Sequence, residues 1–96
     1  MHVYILTNTG RTVLYIGVTN NLPRRLYEHS AARGNVNKFA GRYQTDLLMY
    51  FEQLPDASQA IAREKALKGW SRAKKNALIT AFNPEWKPID LETWEG

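Results

Sequence analysis

Five side chains in this chain of 96 residues could do chemistry together: the phenols of Tyr4 and Tyr15, the guanidinium of Arg25, the imidazole of His29 and the carboxylate of Glu64. A guanidinium holds an anion through paired N–H donors, a phenol or imidazole takes up and returns a proton, and a carboxylate attracts a cation. Each group also has an ordinary reading. Tyrosine in a strand usually packs, histidine on a helix usually completes a hydrogen bond or faces the helix dipole, and a lone glutamate usually forms an ion pair. Which reading holds depends on the elements that place these groups.

The stretch HVYILTNTGRTVLYIG contains two β-branched and aromatic runs around Asn8, Thr9, Gly10 and Arg11, a polar turn of the kind that closes hairpins. A loop of two or four residues centred there sets Tyr4 directly opposite Tyr15, on one face of the sheet. After Gly17, Asn20 or Asn21 can cap a helix whose first turn tolerates Pro23. Leu22 and Leu26 set its inward face, Arg25 and His29 border that stripe four residues apart, and Arg24 points to solvent.

A loop with Gly34 and Gly41 leads into the strand run DLLMYFEQL. Asp56, with Gln59 three residues on, opens a second helix that Gly69 closes, and Ser71 caps a third that stops before Pro84. In the second helix Glu64 falls in the middle of the apolar stripe of Ala57, Ala60, Ile61 and Leu67. A charge there needs a cationic partner, whether a metal, an arginine such as Arg25 or Arg63, or a fringe of water. The element order is β-β-α-β-α-α, an α+β layer with a small antiparallel sheet. Residues 1 to 84 form the domain; residues 85 to 96 are an acidic extension whose Trp86, Leu91 and Trp94 can fold back on it.

Ninety-six residues build one modest core. The absence of cysteine excludes disulfides, thiolate metal sites and cysteine nucleophiles. No signal peptide or membrane-spanning run is present, so a cytoplasmic location is expected, with no membrane partner. Residues 1 to 84 carry twelve bases against five acids, a surplus that attracts polyanions, nucleic acid first among them, although it also serves solubility. The run from Arg63 to Lys75 is strongly basic and spans two helices, and Lys38 and Arg42 alternate with Phe39 and Tyr43 as cations and aromatics do in single-strand binders. Arg24, Lys38, Arg42, Lys68, Arg72, Lys74 and Lys75 are the expected nucleic-acid contacts. No zinc finger or other base-reading motif is present.

The segments VYIL at 3 to 6, YIG at 15 to 17, NLPRRLYEH at 21 to 29 and REKALKGW at 63 to 70 together resemble the GIY-YIG nuclease family. The likeness is greatest to its small stand-alone bacterial members, which often share KFAGRY, a lysine pair and NPEW, here at 38 to 43, 74 to 75 and 83 to 86. It covers about residue 2 to 86. The first motif departs from type, with His2-Val3-Tyr4 in place of Gly-Ile-Tyr, and Val18 stands where some relatives have lysine.

The resemblance implies a three-stranded antiparallel sheet flanked by helices and a phosphodiester hydrolase, an endonuclease acting on DNA with one divalent ion, Mg²⁺ or Mn²⁺. By position Tyr4, Tyr15, Arg25 and His29 match the family's catalytic positions, Glu64 its metal-binding glutamate, Gly17 the glycine of its second motif and Asn83 an asparagine near its site. Tyr4 and His29 remain alternative acceptors of the proton from the attacking water. Two rival readings are a non-catalytic nucleic-acid binding module that keeps the fold, and a protein-interaction domain using the tryptophan-bearing tail. A protein partner could also lend the enzyme its specificity.

Overall fold

The computed structural model describes residues 1–31 and 45–94. Lys38 and Arg42, with Phe39 and Tyr43, lie outside the described residues. The elements follow the expected order: β1 (His2–Thr7), β2 (Leu14–Thr19), α1 (Leu22–Ala31), β3 (Leu47–Gln53), α2 (Ala57–Lys68) and α3 (Arg72–Phe82). The strands form one antiparallel sheet in the order β2-β1-β3.

The helix starts are local chemistry. Asn21 Oδ1 accepts from the Arg24 amide at 3.1 Å, Asp56 Oδ1 from the Gln59 amide at 2.8 Å and Ser71 Oγ from the Lys74 amide at 3.2 Å. Each satisfies a backbone donor that the first helical turn leaves open. The Gln59 amide returns to the Asp56 carboxylate at 3.4 Å, where a strict capping box would return to the Asp56 backbone. At the end of α2 the Gly69 amide reaches Ala66 O at 3.1 Å and Lys65 O at 3.3 Å.

The hairpin register corrects the sequence expectation. Tyr4 lies opposite Gly17 and Tyr15 opposite Leu6, so the two tyrosines are diagonal neighbours. The turn from Asn8 to Arg11 forms, with the Arg11 amide on Asn8 O at 3.0 Å and Arg11 at φ 54°. The Asn8 side chain then takes the amides of Thr12 at 2.9 Å and Val13 at 3.2 Å, and these residues no longer pair with β1. Cross-strand pairing begins only at Thr7 and Leu14, two residues later than a tight turn would allow. A shift of two preserves the alternation of faces, so Tyr4 and Tyr15 still share one.

Alternate residues of β1 build two different layers. Val3 and Ile5 join Ile16, Met49, Ala60, Leu67 and Ile79 in a core under α2 and α3. Tyr4 and Leu6 join Leu22, Leu48 and Ile89 in a second cluster under α1 and the chain's C-terminal segment. That segment is held down by Asn83, whose Nδ2 donates to Met49 O at 3.3 Å and Lys87 O at 2.8 Å, and by the Ile89 amide on Leu48 O at 2.8 Å. Met49 is the extra residue of a bulge: Ile5 pairs with Tyr50 and Leu6 with Leu48. Trp94 stacks on Phe82 with ring centres 5.2 Å apart.

Candidate active site

Beneath α1 the sheet carries aromatic polar groups where a plain core would carry aliphatic ones. Tyr4 is fully buried, and its ring leans over Gly17 on β2. A Cβ at position 17 would run into the Tyr4 Oη and Cζ, so glycine is required by this close approach. The rings of Tyr4 and Tyr15 are 6.3 Å apart, and His29 from α1 meets both edge-on, at 6.0 Å and 4.8 Å. Sequence spacing delivers His29 here: it lies on the inward side of α1 with Leu22, one helical turn beyond Arg25.

Tyr4 Oη is the hub. It receives a hydrogen bond from Arg25 Nε at 3.1 Å and lies 3.3 Å from His29 Nε2. The Arg25 guanidinium is also bonded by the Tyr15 hydroxyl; these phenol contacts, Tyr4 first, raise its pKa above the ordinary value. Burial pushes the Tyr4 phenol up, the Arg25 bond opposes this, and the charges of Tyr15 and Glu64 add to the rise. His29 moves the other way: burial first, then the Arg25 charge, lower its pKa below 6.5. At neutral pH the site therefore holds a protonated phenol beside an unprotonated imidazole. His29 Nδ1 is buried and has no hydrogen-bond partner among the described residues.

Glu64 comes from α2, whose Ala60 and Leu67 belong to the opposite core, yet its carboxylate is near enough for its charge to act on Tyr4. Its ion-pair partner is Lys68, at 3.5 Å and one helical turn along, and not Arg25 or Arg63. Both arginines are already held by other partners. Arg63 is claimed by Glu52 on β3, with Nε to Oε1 at 2.8 Å and Nη2 to Oε2 at 3.4 Å, while the Tyr50 hydroxyl donates to the same carboxylate. Arg25 is held by the two phenols and by Glu28, three residues along at 3.6 Å. The i, i+3 spacing of Arg25 and Glu28 was the available signal for that pair.

Among the described residues no three His, Cys, Asp or Glu side chains come close enough to share an ion. Among the described residues, Glu64 supplies the carboxylate whose charge acts on Tyr4. A carboxylate suits a hard cation that keeps most of its waters and takes one or two protein oxygens.

The expected nucleic-acid contacts separate into free and committed groups. Arg72 gives Nη1 to Thr12 O at 3.0 Å and Nη2 to Arg11 O at 2.9 Å, clamping the hairpin turn to α3. The ammonium of Lys74 lies over the Trp70 ring at 4.1 Å, with the Arg63 guanidinium over the same ring at 5.3 Å. Lys68 is paired with Glu64. Arg24 is exposed, Lys75 half-buried, and neither has an ion-pair partner among the described residues. Asn83 spends its side chain on the backbone of Met49 and Lys87, as a latch for the C-terminal segment.

Comparison with known proteins adds an independent line. The model of the GIY-YIG catalytic domain matches residues 1–77. A UPF0213 protein of Natronomonas pharaonis is 38% identical over 78 residues, covering 81% of this chain and 88% of the relative. A UPF0213 protein of Desulfotalea psychrophila is 38% identical over 88 residues, covering 91% of this chain and 77% of the relative. One of Syntrophus aciditrophicus is 36% identical over 84 residues, covering 88% and 93%. No solved structure matches the chain.

Proposed function

Because the chain belongs to the GIY-YIG catalytic domain family, a family of nucleases, we propose that it is an endonuclease that hydrolyses phosphodiester bonds in DNA at the Tyr4, Tyr15, Arg25, His29 cluster, with one divalent ion on Glu64. The observation that carries this reading is the hub at Tyr4 Oη, bonded to Arg25 on one side and in reach of His29 on the other.

The two phenols fix the guanidinium of Arg25 so that its remaining N–H groups face a phosphate. There it binds a non-bridging oxygen and offsets the charge that grows as water attacks. Proton removal runs through the hub. The oxygen of Tyr4 takes the proton of the attacking water as its own proton passes to Nε2 of His29, which its lowered pKa keeps free to accept. Burial keeps the Tyr4 phenol protonated at neutral pH, so it can take a proton only by passing its own on, which makes His29 the end of the relay and Tyr4 its middle.

Glu64 would hold Mg²⁺ or Mn²⁺, exchanging its contact with Lys68 for the ion. When bound, such an ion polarises a phosphate oxygen and stabilises the leaving oxygen.

The test is incubation of the purified protein with supercoiled plasmid and with a branched oligonucleotide, in Mg²⁺, Mn²⁺ or EDTA, beside Glu64→Ala. Nicking that needs the metal and vanishes in Glu64→Ala is expected, with DNA binding retained. Tight, salt-sensitive binding without nicking would make the protein a binding module instead.

A further inference from the structure

A shallow groove of about 380 Å³ opens between the end of β2 and the start of α1, lined by Thr19, Asn20, Asn21, Arg24, Arg25 and Glu28 among others. Its volume is at the small end of the range for small-molecule sites, about 300–1,000 Å³. That volume is on the scale of a single small ligand and too small for a folded partner. The groove is continuous with the site beneath α1, because Arg25 belongs to both: its Nε is on Tyr4 Oη at 3.1 Å and its Nη1 is 3.6 Å from Glu28 at the groove wall.

Two lining side chains are uncommitted. Arg24 is exposed and has no ion-pair or hydrogen-bond partner for its guanidinium among the described residues, and the side-chain amide of Asn20 is equally free. This sets Arg24 apart from Lys68, Lys74 and Arg72, whose cations already face Glu64, Trp70 and the hairpin carbonyls. Opposite signs divide the groove. A phosphate is drawn to Arg24 and repelled by Glu28, whereas the Glu28 carboxylate accepts from exocyclic amines and the Asn20 amide can both give and take at a base edge.

We propose that this groove is the subsite for the nucleotide next to the scissile phosphate, with Arg24 on that nucleotide's phosphate and Asn20 and Glu28 at the edge of its base. The inference rests on the nuclease reading and narrows its substrate class. A base that turns its Watson–Crick edge to Asn20 and Glu28 is out of any duplex, so the preferred substrate has an unpaired nucleotide beside the cut, as in a flap, a branch or a single strand.

The probe is a deoxycytidine trinucleotide titrated into ¹⁵N-labelled Glu64→Ala protein, in which hydrolysis does not interfere. Shifts of the Thr19, Asn20 and Asn21 amide signals are expected, with about 3- to 10-fold weaker binding in Arg24→Ala and a salt slope lower by about one. Asn20→Ala is expected to weaken the trinucleotide and a flapped duplex several-fold, and a fully paired duplex hardly at all. Shifts confined to α2 and α3, or unaltered affinity in both variants, would overturn the assignment. The two readings fail separately. A wild-type protein that never cuts, yet binds through Thr19 to Asn21, sinks the nuclease and keeps the groove only as a nucleotide-binding site; one that cuts a flap with the same KM in Arg24→Ala and Asn20→Ala keeps the nuclease and sinks the subsite.

Discussion

Two arginines, Arg25 and Arg63, each sit with a tyrosine and a glutamate, and the two sets are finished differently. Around Arg63 the accounts are closed. Glu52 receives two nitrogens of the guanidinium, Nε and Nη2, and the Tyr50 hydroxyl, Trp70 covers the cation's face, and burial with the Glu52 contact pushes the Tyr50 phenol up to about 12. Around Arg25 they are open. The Arg25 side chain is 40% exposed, its carboxylate contact with Glu28 is long and solvated, and His29 Nδ1 has no partner among the described residues. The same residue types thus serve two ends. A satisfied set fastens α2 to β3, and an unsatisfied set leaves donors and acceptors for a ligand.

Gly17→Ala should strike the open set hardest, since the new Cβ collides with the Tyr4 phenol. Turnover is expected to fall more than about 10²-fold, with about 1–3 kcal/mol of stability lost to overpacking; thermal melting beside a cleavage assay reads both. A variant that melts lower but cuts normally would mean the phenol's position is irrelevant.

Tyr4→Phe sharpens the contrast by removing one oxygen and little volume. A rate loss of about 10²-fold is expected, with the melting point nearly kept, and single-turnover cleavage measures it. Glu52→Ala probes the closed set and should do the reverse. It strands a phenol and a guanidinium and is expected to cost about 1–3 kcal/mol, which lowers the melting point by about 4–8 °C per kcal/mol in a domain of this size. Its effect on turnover should be smaller than that of Tyr4→Phe. Equal effects on rate would erase the distinction between the sets.

The smallest effect is that of pH. Because the folded His29 pKa lies below the unfolded 6.5, the relay stays competent through neutrality and its rate declines only as pH falls through the lowered value. For stability the sign is the same. Between those two values the unfolded chain binds a proton that the folded chain refuses, so acidification favours unfolding. A rate profile with its acid limb above pH 6.5 would contradict the assignment of His29.

The fold was legible where its signals were local. Caps at Asn21, Asp56 and Ser71, the proline after α3 and the β-branched and aromatic run of β1 each act within a few residues of themselves. The hairpin register was not legible, because it turns on one side chain, Asn8, which intercepts two amides that the strands would otherwise share. The approach of Tyr4, Tyr15, Arg25 and His29 followed from face and spacing, and survived the register change because two residues preserve parity. The partner of Glu64 did not follow. Lys68 is left to it only because Arg63 reaches back to β3, a choice made by tertiary packing.

The segment latched by Asn83 has a consequence beyond its own packing. β3 lies at the margin of the sheet, and a bare margin offers a row of amides and carbonyls on which another molecule's strand can grow. By lending the Ile89 amide to Leu48 and laying Leu91 and Trp94 across the neighbouring apolar surface, the segment acts as a stopper against self-templated assembly. A chain shortened at Phe82 should gain light scattering with time and concentration; a clear, monodisperse solution of it would remove that role.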